Sequence, residues 1–438
     1  ELAEGGNTLD DTLEIVEYFK DYVDVFDVSA GLTCSIQYQY DADYLPDGWK
    51  SYMSKSIKEK TGKPCQTSGN IREPEVANRI LEDGEADLIA IGRGLIADPE
   101  WVNKVEFGDE CDIRKCISCN IGCAGHRIGI NRPIRCTVNP SVNGGENYKK
   151  QKINKPCNVV VIGGGTAGLE AACTAAEVGC NTFLLEKGSE LGGLASLISK
   201  IPAKNRLADF PHYLMHRAEQ LENLYIFTNT EGTPENIRKF HPNIIVSSTG
   251  SAPLLPPIAG LKDRIDNENY NIYSILGMIN HINDFPKDLE GKKVVVVGGG
   301  AVGLDVVEFF ADRNADISIV EMMDQIGRDL DPVSKNDTKA MMKKHNVHQL
   351  TKTALLEVKD SSFLVKGDGE PYELPFEYGF VCLGMRAQGQ LYQSLAEEFS
   401  SEDVEIMNIG DSQRARRIID GTQEGRNILT ILEQRGYL

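Results

Sequence analysis

Four cysteines, Cys116, Cys119, Cys123 and Cys136, form a C-x2-C-x3-C-x12-C array. Thiolates at this spacing can converge on one centre, and four of them suit an iron–sulfur cluster or a structural zinc. Gly122 and Gly125 let the backbone wrap closely round a compact ligand. Two glycine-rich loops lie downstream, and their redox character favours a cluster over zinc. His126, beside the array, reads as a surface or supporting histidine, since four thiols already complete a ligand set.

The first loop is Gly163-Gly164-Gly165-Thr166-Ala167-Gly168, entered from the apolar run at 158–162. Glu186 stands 21 residues after Gly165. The second is Gly298-Gly299-Gly300-Ala301-Val302-Gly303, entered from 293–297, with Glu321 at the same offset of 21 from Gly300. In such loops the glycines allow a tight turn and close approach of a pyrophosphate to a helix start, and the acid accepts ribose hydroxyls. One such loop is weak evidence; two, each strand-flanked and each with its acid in place, are strong. Two nested dinucleotide folds in one chain imply FAD in the first and a nicotinamide in the second. Gly193, within Glu190-Leu191-Gly192-Gly193, and the pair Gly410-Asp411 ahead of a helix expected at 421–435 fall where FAD needs support. At Glu321 a carboxylate accepts a ribose 2′-OH and repels a 2′-phosphate, so NADH is expected over NADPH; Arg328, seven residues on, is the one nearby group that would help NADPH. No C-x4-C adjoins the first loop, so dithiol/disulfide exchange is not expected.

The elements that must position these groups can be read from periodicity. Leu9, Leu13, Val16 and Phe19 set a helix over 8–20, and helices follow at 49–60 and 73–83. Short strands are expected at 25–29 and 64–68, with a buried one at 87–91, and strand–helix alternation of this length implies a parallel sheet. Three strands cannot close a barrel: either this is a small open sheet or, the preferred reading, the chain begins inside a larger domain. Residues 110–155 carry little regular pattern, and 139–155, rich in Asn, Gly and Lys, reads as a linker. The 438 residues suit about three domains, and 41% hydrophobic content is ample for their cores. No apolar run is long enough to span a bilayer and no secretory signal opens the sequence. Eleven cysteines without a disulfide-like framework suit a reducing cytoplasm; Cys65, Cys157, Cys173, Cys180 and Cys382 read as buried thiols. A net charge of −19 argues against nucleic acid as a partner. A homo-oligomer is left open.

With these motifs in hand, the chain resembles the C-terminal two-thirds of the 2,4-dienoyl-CoA reductase/trimethylamine dehydrogenase group of the old yellow enzyme family. Thr67-Ser-Gly-Asn-Ile71 and Ile91-Gly-Arg-Gly-Leu-Ile-Ala-Asp-Pro-Glu-Trp101 resemble the family's last barrel strands with their FMN-phosphate loops, and the four cysteines match its cluster ligands in order. The resemblance implies an α/β protein: the C-terminal part of a (β/α)8 barrel over 1–112, an iron–sulfur segment over 113–155, and two nested Rossmann-like domains of disulfide-reductase type. These would be an FAD domain at 156–256 and 376–438 and an NAD(P)H domain at 257–375. It also implies [4Fe-4S], FAD and FMN, with Gly69, Gly92 and Arg93 on the FMN phosphate.

The departures concern the substrate. The family's early barrel strands, with a catalytic Tyr, are not in this sequence, and the stretch where dienoyl-CoA reductases carry a catalytic His has Cys34 and no His. Cys34, Tyr38 and Tyr40, with Tyr44, are the weak local candidates for chemistry, and packing is the preferred reading of the tyrosines. The proton donor is expected to be a Tyr outside this sequence. The reading is an NADH-dependent oxidoreductase reducing an activated C=C bond of an unsaturated carbonyl compound. Its alternatives are an amine dehydrogenase or demethylase of the same family and a non-catalytic electron-transfer subunit.

Overall fold

A computed structural model describes residues 4–438; residues 1–3, where the expected barrel segment starts, lie outside the described residues. The chain divides into two compact units, Glu1–Tyr148 with Asp331–Asp337, and Lys149–Leu330 with Thr338–Leu438.

The first unit is built on a three-stranded parallel sheet ordered as in the sequence: Phe26–Val28, Cys65–Thr67, Leu88–Ile89. Its helices have clear local causes. Thr8 caps Leu9–Phe19, accepting from the Asp11 amide while the Asp11 carboxylate accepts from the Thr8 amide. Ser51–Thr61 stops at Gly62, whose φ of 68° is a left-handed C-cap, and Pro74 opens Pro74–Glu82 at the position that lacks an amide need. Val16, Phe26, Val28, Ile57 and Cys65 form a core between the sheet and the first two of these helices. The third strand departs from expectation: only Leu88 and Ile89 pair, and Leu88 is 47% exposed. Among the described residues it pairs on one side only, and Ile89 packs against the cluster of Ile71, Ala77, Ile80, Ala86, Trp101 and Ile113 while Leu88 faces away from it. The supposed linker is also different at its start. Asn139 and Ser141 are buried, and Asn139 Nδ2 donates to the Ile96 carbonyl at 3.0 Å.

The second unit holds two five-stranded parallel sheets. The first runs Glu405–Asn408, Ile244–Ser247, Asn158–Ile162, Asn181–Leu185, Leu224–Phe227 in space. The second runs His348–Leu350, Asp316–Val320, Lys293–Val297, Tyr378–Val381, Ile272–Tyr273. Their central strands are runs of Val and Ile because both faces are covered, by helices on both sides of the first sheet and, on one side of the second, by the antiparallel strands Ala354–Val358, Ser362–Lys366 and Tyr372–Pro375. An antiparallel pair, Ser251–Pro253 with Met385–Ala387, carries the chain between the sheets. Residue 376, the expected return to the FAD domain, therefore precedes Tyr378–Val381, which still pairs in the second sheet. The helix expected at 421–435 is two helices, Ile418–Arg426 and Ile428–Gln434, divided where the Asn427 amide is shared between the Gln423 and Glu424 carbonyls.

Candidate functional site

In each parallel sheet the glycine loop leaves the central strand at the point where strand order reverses, the place where open α/β sheets leave a crevice. Gly163 and Gly298 take φ of 104° and 110°. A Cβ on Gly163 would lie 2.4 Å from the Ser248 carbonyl oxygen, and one on Gly298 2.2 Å from that of Cys382. The last glycines are tighter: a Cβ on Gly168 would lie 2.0 Å from the Gly163 oxygen, and one on Gly303 1.9 Å from that of Gly298. By contrast, a Cβ on Gly165 or Gly300 would meet open space. Each cradle thus has a packed floor and an open rim at the start of its helix, Thr166–Glu177 or Ala301–Ala311.

Both acids bend over their loops alike. Glu186 Oε2 accepts from the Gly164 amide at 2.7 Å and Oε1 from the Gly188 amide at 2.7 Å. Glu321 Oε2 accepts from the Gly299 amide at 2.6 Å and Oε1 from Met323 at 2.7 Å. Around the first loop the structure gathers the other expected residues. Gly165 bridges to Gly192, and a Cβ on Gly193 would lie 3.0 Å from the Gly165 Cα. One on Gly410 would lie 3.0 Å from the Ala167 Cβ. Asp411 is already engaged, accepting from Ser251 Oγ at 2.7 Å and from the Arg416 amide at 3.0 Å. These residues fit a dinucleotide: backbone amides for phosphates, an anchored acid for ribose.

Behind the first loop lies a buried ionic cluster that sequence reasoning missed. Glu170 pairs with Arg217 at 2.9 Å and Arg426 at 2.7 Å, tying three helices together. Burial pushes the Glu170 carboxyl up, but the Arg217 and Arg426 guanidiniums outweigh it and hold the group below its ordinary value. The available signal was an acid in the middle of a small-residue helix. Gly425 completes the packing, since a Cβ there would sit 2.6 Å from the Ala167 carbonyl.

In the first unit, Cys116, Cys119, Cys123 and Cys136 line one cavity together with Arg93, Asn120, Gly122, Arg135 and Thr137. Burial and then the neighbouring thiols raise Cys119, and they push Cys136 up to about 12; burial also raises Cys123. Such thiols ionise readily only with a cationic centre among them. Ser118 and Asn120, at φ 53° and 55°, turn the chain between the cysteines. His126 is not in the cavity lining; its Nδ1 lies 3.3 Å from the Pro133 carbonyl oxygen.

Gly69 and Gly92 follow adjacent parallel strands, so both loops leave the same edge of the sheet. Gly69 has φ 119°, and a Cβ on Gly92 would meet open space. Arg93, the residue expected at the phosphate, is hydrogen-bonded within its own unit. Its Nη1 donates to the Asp41 carbonyl at 2.9 Å and Asn120 Oδ1 at 2.8 Å, and its Nη2 to Asn70 Oδ1 at 2.6 Å and Asp41 Oδ2 at 3.2 Å. Asp41, buried, also binds Lys50 Nζ at 2.9 Å and Trp49 Nε1 at 2.8 Å. Nothing in its spacing marked Asp41 or Lys50. Cys34 is exposed. Tyr40 packs against the Ile36, Ala42, Ala124 and Val333 cluster, and the Tyr38 ring lies 5.9 Å from Trp49. Burial and a hydrogen bond with Tyr38 raise the Tyr44 hydroxyl well above its ordinary value. The five thiols read as buried, Cys65, Cys157, Cys173, Cys180 and Cys382, are all buried.

Residues 3–111 match the NADH:flavin oxidoreductase / NADH oxidase family, residues 158–217 the FAD dependent oxidoreductase family, and residues 218–406 the pyridine nucleotide-disulphide oxidoreductase family. This order of segments defines a class of flavin oxidoreductase. The chain belongs to the 2,4-dienoyl-CoA reductase/trimethylamine dehydrogenase group of that class. It is 34% identical over 429 residues to an NADH oxidase of Thermoanaerobacter brockii, covering 97% of this chain and 64% of the relative. It is 27% identical over 392 residues to a cinnamate reductase of Clostridium sporogenes, covering 87% of this chain and 54% of the relative. The solved 2-naphthoyl-CoA reductase–2-naphthoyl-CoA complex shares the fold, with a TM-score of 0.84 at 24% identity over 98% of this chain and 63% of that one. The chain therefore spans between half and two-thirds of the length of these proteins. Among the described residues no helix is long and apolar enough to cross a membrane.

Proposed function

We propose that the protein is an NADH-dependent reductase of an activated C=C bond in an unsaturated carbonyl compound, with FAD, FMN and a [4Fe-4S] cluster as resident groups. The observation that carries the cluster is the set of four cysteines around one cavity, in a chain that also holds two dinucleotide loops. Likeness to a cinnamate reductase supports the alkene class. When bound, these groups supply hydride acceptance from NADH, one-electron transfer, and hydride delivery to the β-carbon.

The chain's own residues bind and orient. Gly163, Gly165 and Gly168 hold the FAD pyrophosphate, Glu186 its ribose, and Gly193, Gly410 and Asp411 close round it. Gly298, Gly300, Gly303 and Glu321 do the same for NADH. Cys116, Cys119, Cys123 and Cys136 ligate the cluster, and the backbone at Gly69 and Gly92 takes the FMN phosphate. The balance is one hydride from NADH and one proton from an enzyme acid, giving NAD⁺ and the saturated product.

The test is anaerobic analysis of full-length protein. About four iron and four sulfide per chain, two flavins, and NADH-dependent reduction of cinnamate or an enone are expected. Stoichiometric zinc without labile sulfide would remove the cluster. Methylamine oxidation without alkene reduction would replace the substrate class.

A further inference from the structure

Asp331–Asp337 belongs to the first unit, whereas the residues on both sides of it belong to the second. The segment opens the helix Pro332–Lys344, and its own residues build that start. Asp331 Oδ1 accepts from the Val333 amide at 2.9 Å and the Ser334 amide at 3.1 Å, and Oδ2 accepts from Ser334 Oγ at 2.6 Å. This is an aspartate cap followed by a proline at the first helical position. The capped turn puts Val333, 1% exposed, into the cluster of Ile36, Ala42 and Ala124, against which Cys123 also packs. Asn336 fastens the turn to the loop after the first strand, its Nδ2 donating to the Cys34 carbonyl at 3.2 Å and to Gln37 Oε1 at 2.6 Å.

The cysteine segment is shaped to receive this turn. A Cβ on Gly125 would lie 3.1 Å from the Asp331 Cβ, and one on Gly129 3.3 Å from Pro332 Cγ and Cδ. Neither glycine takes a positive φ. Close approach, and not backbone freedom, is therefore what leaves no room for a side chain at either position. Between them Gly125–Gly129 forms one wide, π-type turn, a form frequent at functional sites. The Gly125 amide donates to the Asn120 carbonyl at 2.8 Å and the Arg127 amide to the Cys123 carbonyl at 2.9 Å. The stretch that carries Cys123 is thus closed by its own hydrogen bonds and seated, through Ala124, Gly125 and Gly129, on the start of a helix.

We infer that Val333 is a positioning residue of the cysteine centre, seating Ala124 and the Cys123 side chain on the turn that Asp331 caps. The inference rests on the proposed [4Fe-4S] assignment. The apolar shell round a metal centre holds its ligands in one orientation and keeps water from them. Shortening Val333 opens a space beside Cys123, so the side chain gains freedom to turn and the sulfur becomes accessible to solvent. Threonine keeps the branching at Cβ that fills the space.

The experiment compares full-length wild type, Val333→Ala and Val333→Thr, all purified anaerobically. Iron, sulfide and FAD content, the EPR spectrum after dithionite, the rate of iron release to a chelator and the affinity for ADP-ribose are measured on each. Val333→Ala should release iron about tenfold faster than wild type, with a changed EPR lineshape. Val333→Thr should keep the wild-type lineshape and release rate. FAD content and ADP-ribose affinity should hold in both variants, which separates an effect at the centre from general loss of structure. A wild-type lineshape and release rate in Val333→Ala overturn the inference, as do equal changes in both variants or loss of FAD alongside the iron. If Val333→Ala assembles no centre but keeps FAD, Val333→Thr decides: a wild-type centre supports the role, and its absence overturns it. Failure of the underlying reading shows separately, as wild type without labile sulfide.

Discussion

At the first glycine loop Gly164 donates to Glu186 at 2.7 Å, and at the second Gly299 donates to Glu321 at 2.6 Å. The two loops repeat each other to the last glycine, yet different physics stands behind them. The helix after the first loop is small-residued and held from behind by Glu170, Arg217 and Arg426. The helix after the second is held by aromatic packing: Phe310 lies 4.8 Å from Phe380 and 5.2 Å, edge-on, from Phe285. Cradle geometry is thus fixed by where glycines must be, whereas the support is free to vary so long as it is rigid.

The strongest way to break the comparison is to fill the floors. Gly168→Ala and Gly303→Ala each place a methyl about 2 Å from a backbone oxygen that cannot move without opening the loop. Each should weaken its own nucleotide by more than about 2.7 kcal/mol, roughly 100-fold. Gly168→Ala should empty FAD on purification, and Gly303→Ala should keep FAD while losing its reduction by NADH. Flavin content and stopped-flow reduction check both. Loss of FAD in Gly303→Ala would show the loops are not independent.

The supports should break to similar extents for different reasons. Glu170→Gln leaves two guanidiniums buried beside an amide, a loss of about 3–5 kcal/mol by the behaviour of broken buried pairs. Phe310→Ala leaves a void in the second sheet's core at about 3–5 kcal/mol. Urea unfolding read by flavin release for one and by tyrosine signal for both measures them.

Acid separates the two. The folded Glu170 carboxyl lies below its ordinary 4.5, so its contribution is complete above 4.5 and is lost as pH falls through the folded value. Wild type and Glu170→Gln should therefore converge in stability at acid pH, while the Phe310→Ala deficit stays constant. A constant Glu170→Gln deficit would place the cluster's effect in packing instead of charge.

What could be read in the sequence was whatever local chemistry dictates. The strands Asn158–Ile162 and Lys293–Val297 fall where their apolar runs do, because a strand buried on both faces has no polar position to blur its ends. Both acids, both glycine patterns and the four cysteines sit where spacing put them. What was illegible depends on distant partners. Asp41 meets Arg93 across 52 positions and Glu170 meets Arg426 across 256, and no periodicity reports such pairs. Arg93 shows the consequence: its motif marks it for a phosphate, while its partners Asp41, Asn70 and Asn120 lie at separations that no spacing rule reports. Leu88 shows the converse, an apolar residue read as buried that is 47% exposed.

The smallest expected effect tests whether the two acids, alike in geometry, differ in task. Glu321 accepts from Gly299 and Met323 through separate oxygens, so the carboxylate is fixed over the loop before any ribose arrives. A fixed negative charge there tolerates a 2′-OH and repels a 2′-phosphate. Wild type should favour NADH in kcat/KM, and Glu321→Gln, which keeps the shape and removes the charge, should shrink the NADH:NADPH ratio about tenfold, ~1.4 kcal/mol. Arg328 is exposed seven residues on and would assist the phosphate only once Glu321 is neutral, so Glu321→Gln with Arg328→Ala should regain part of the discrimination. Glu186→Gln should leave the ratio untouched and act on FAD retention alone. If it moves the ratio as far as Glu321→Gln does, the first loop is not confined to FAD; if wild type prefers NADPH, the charge at Glu321 does not govern the choice.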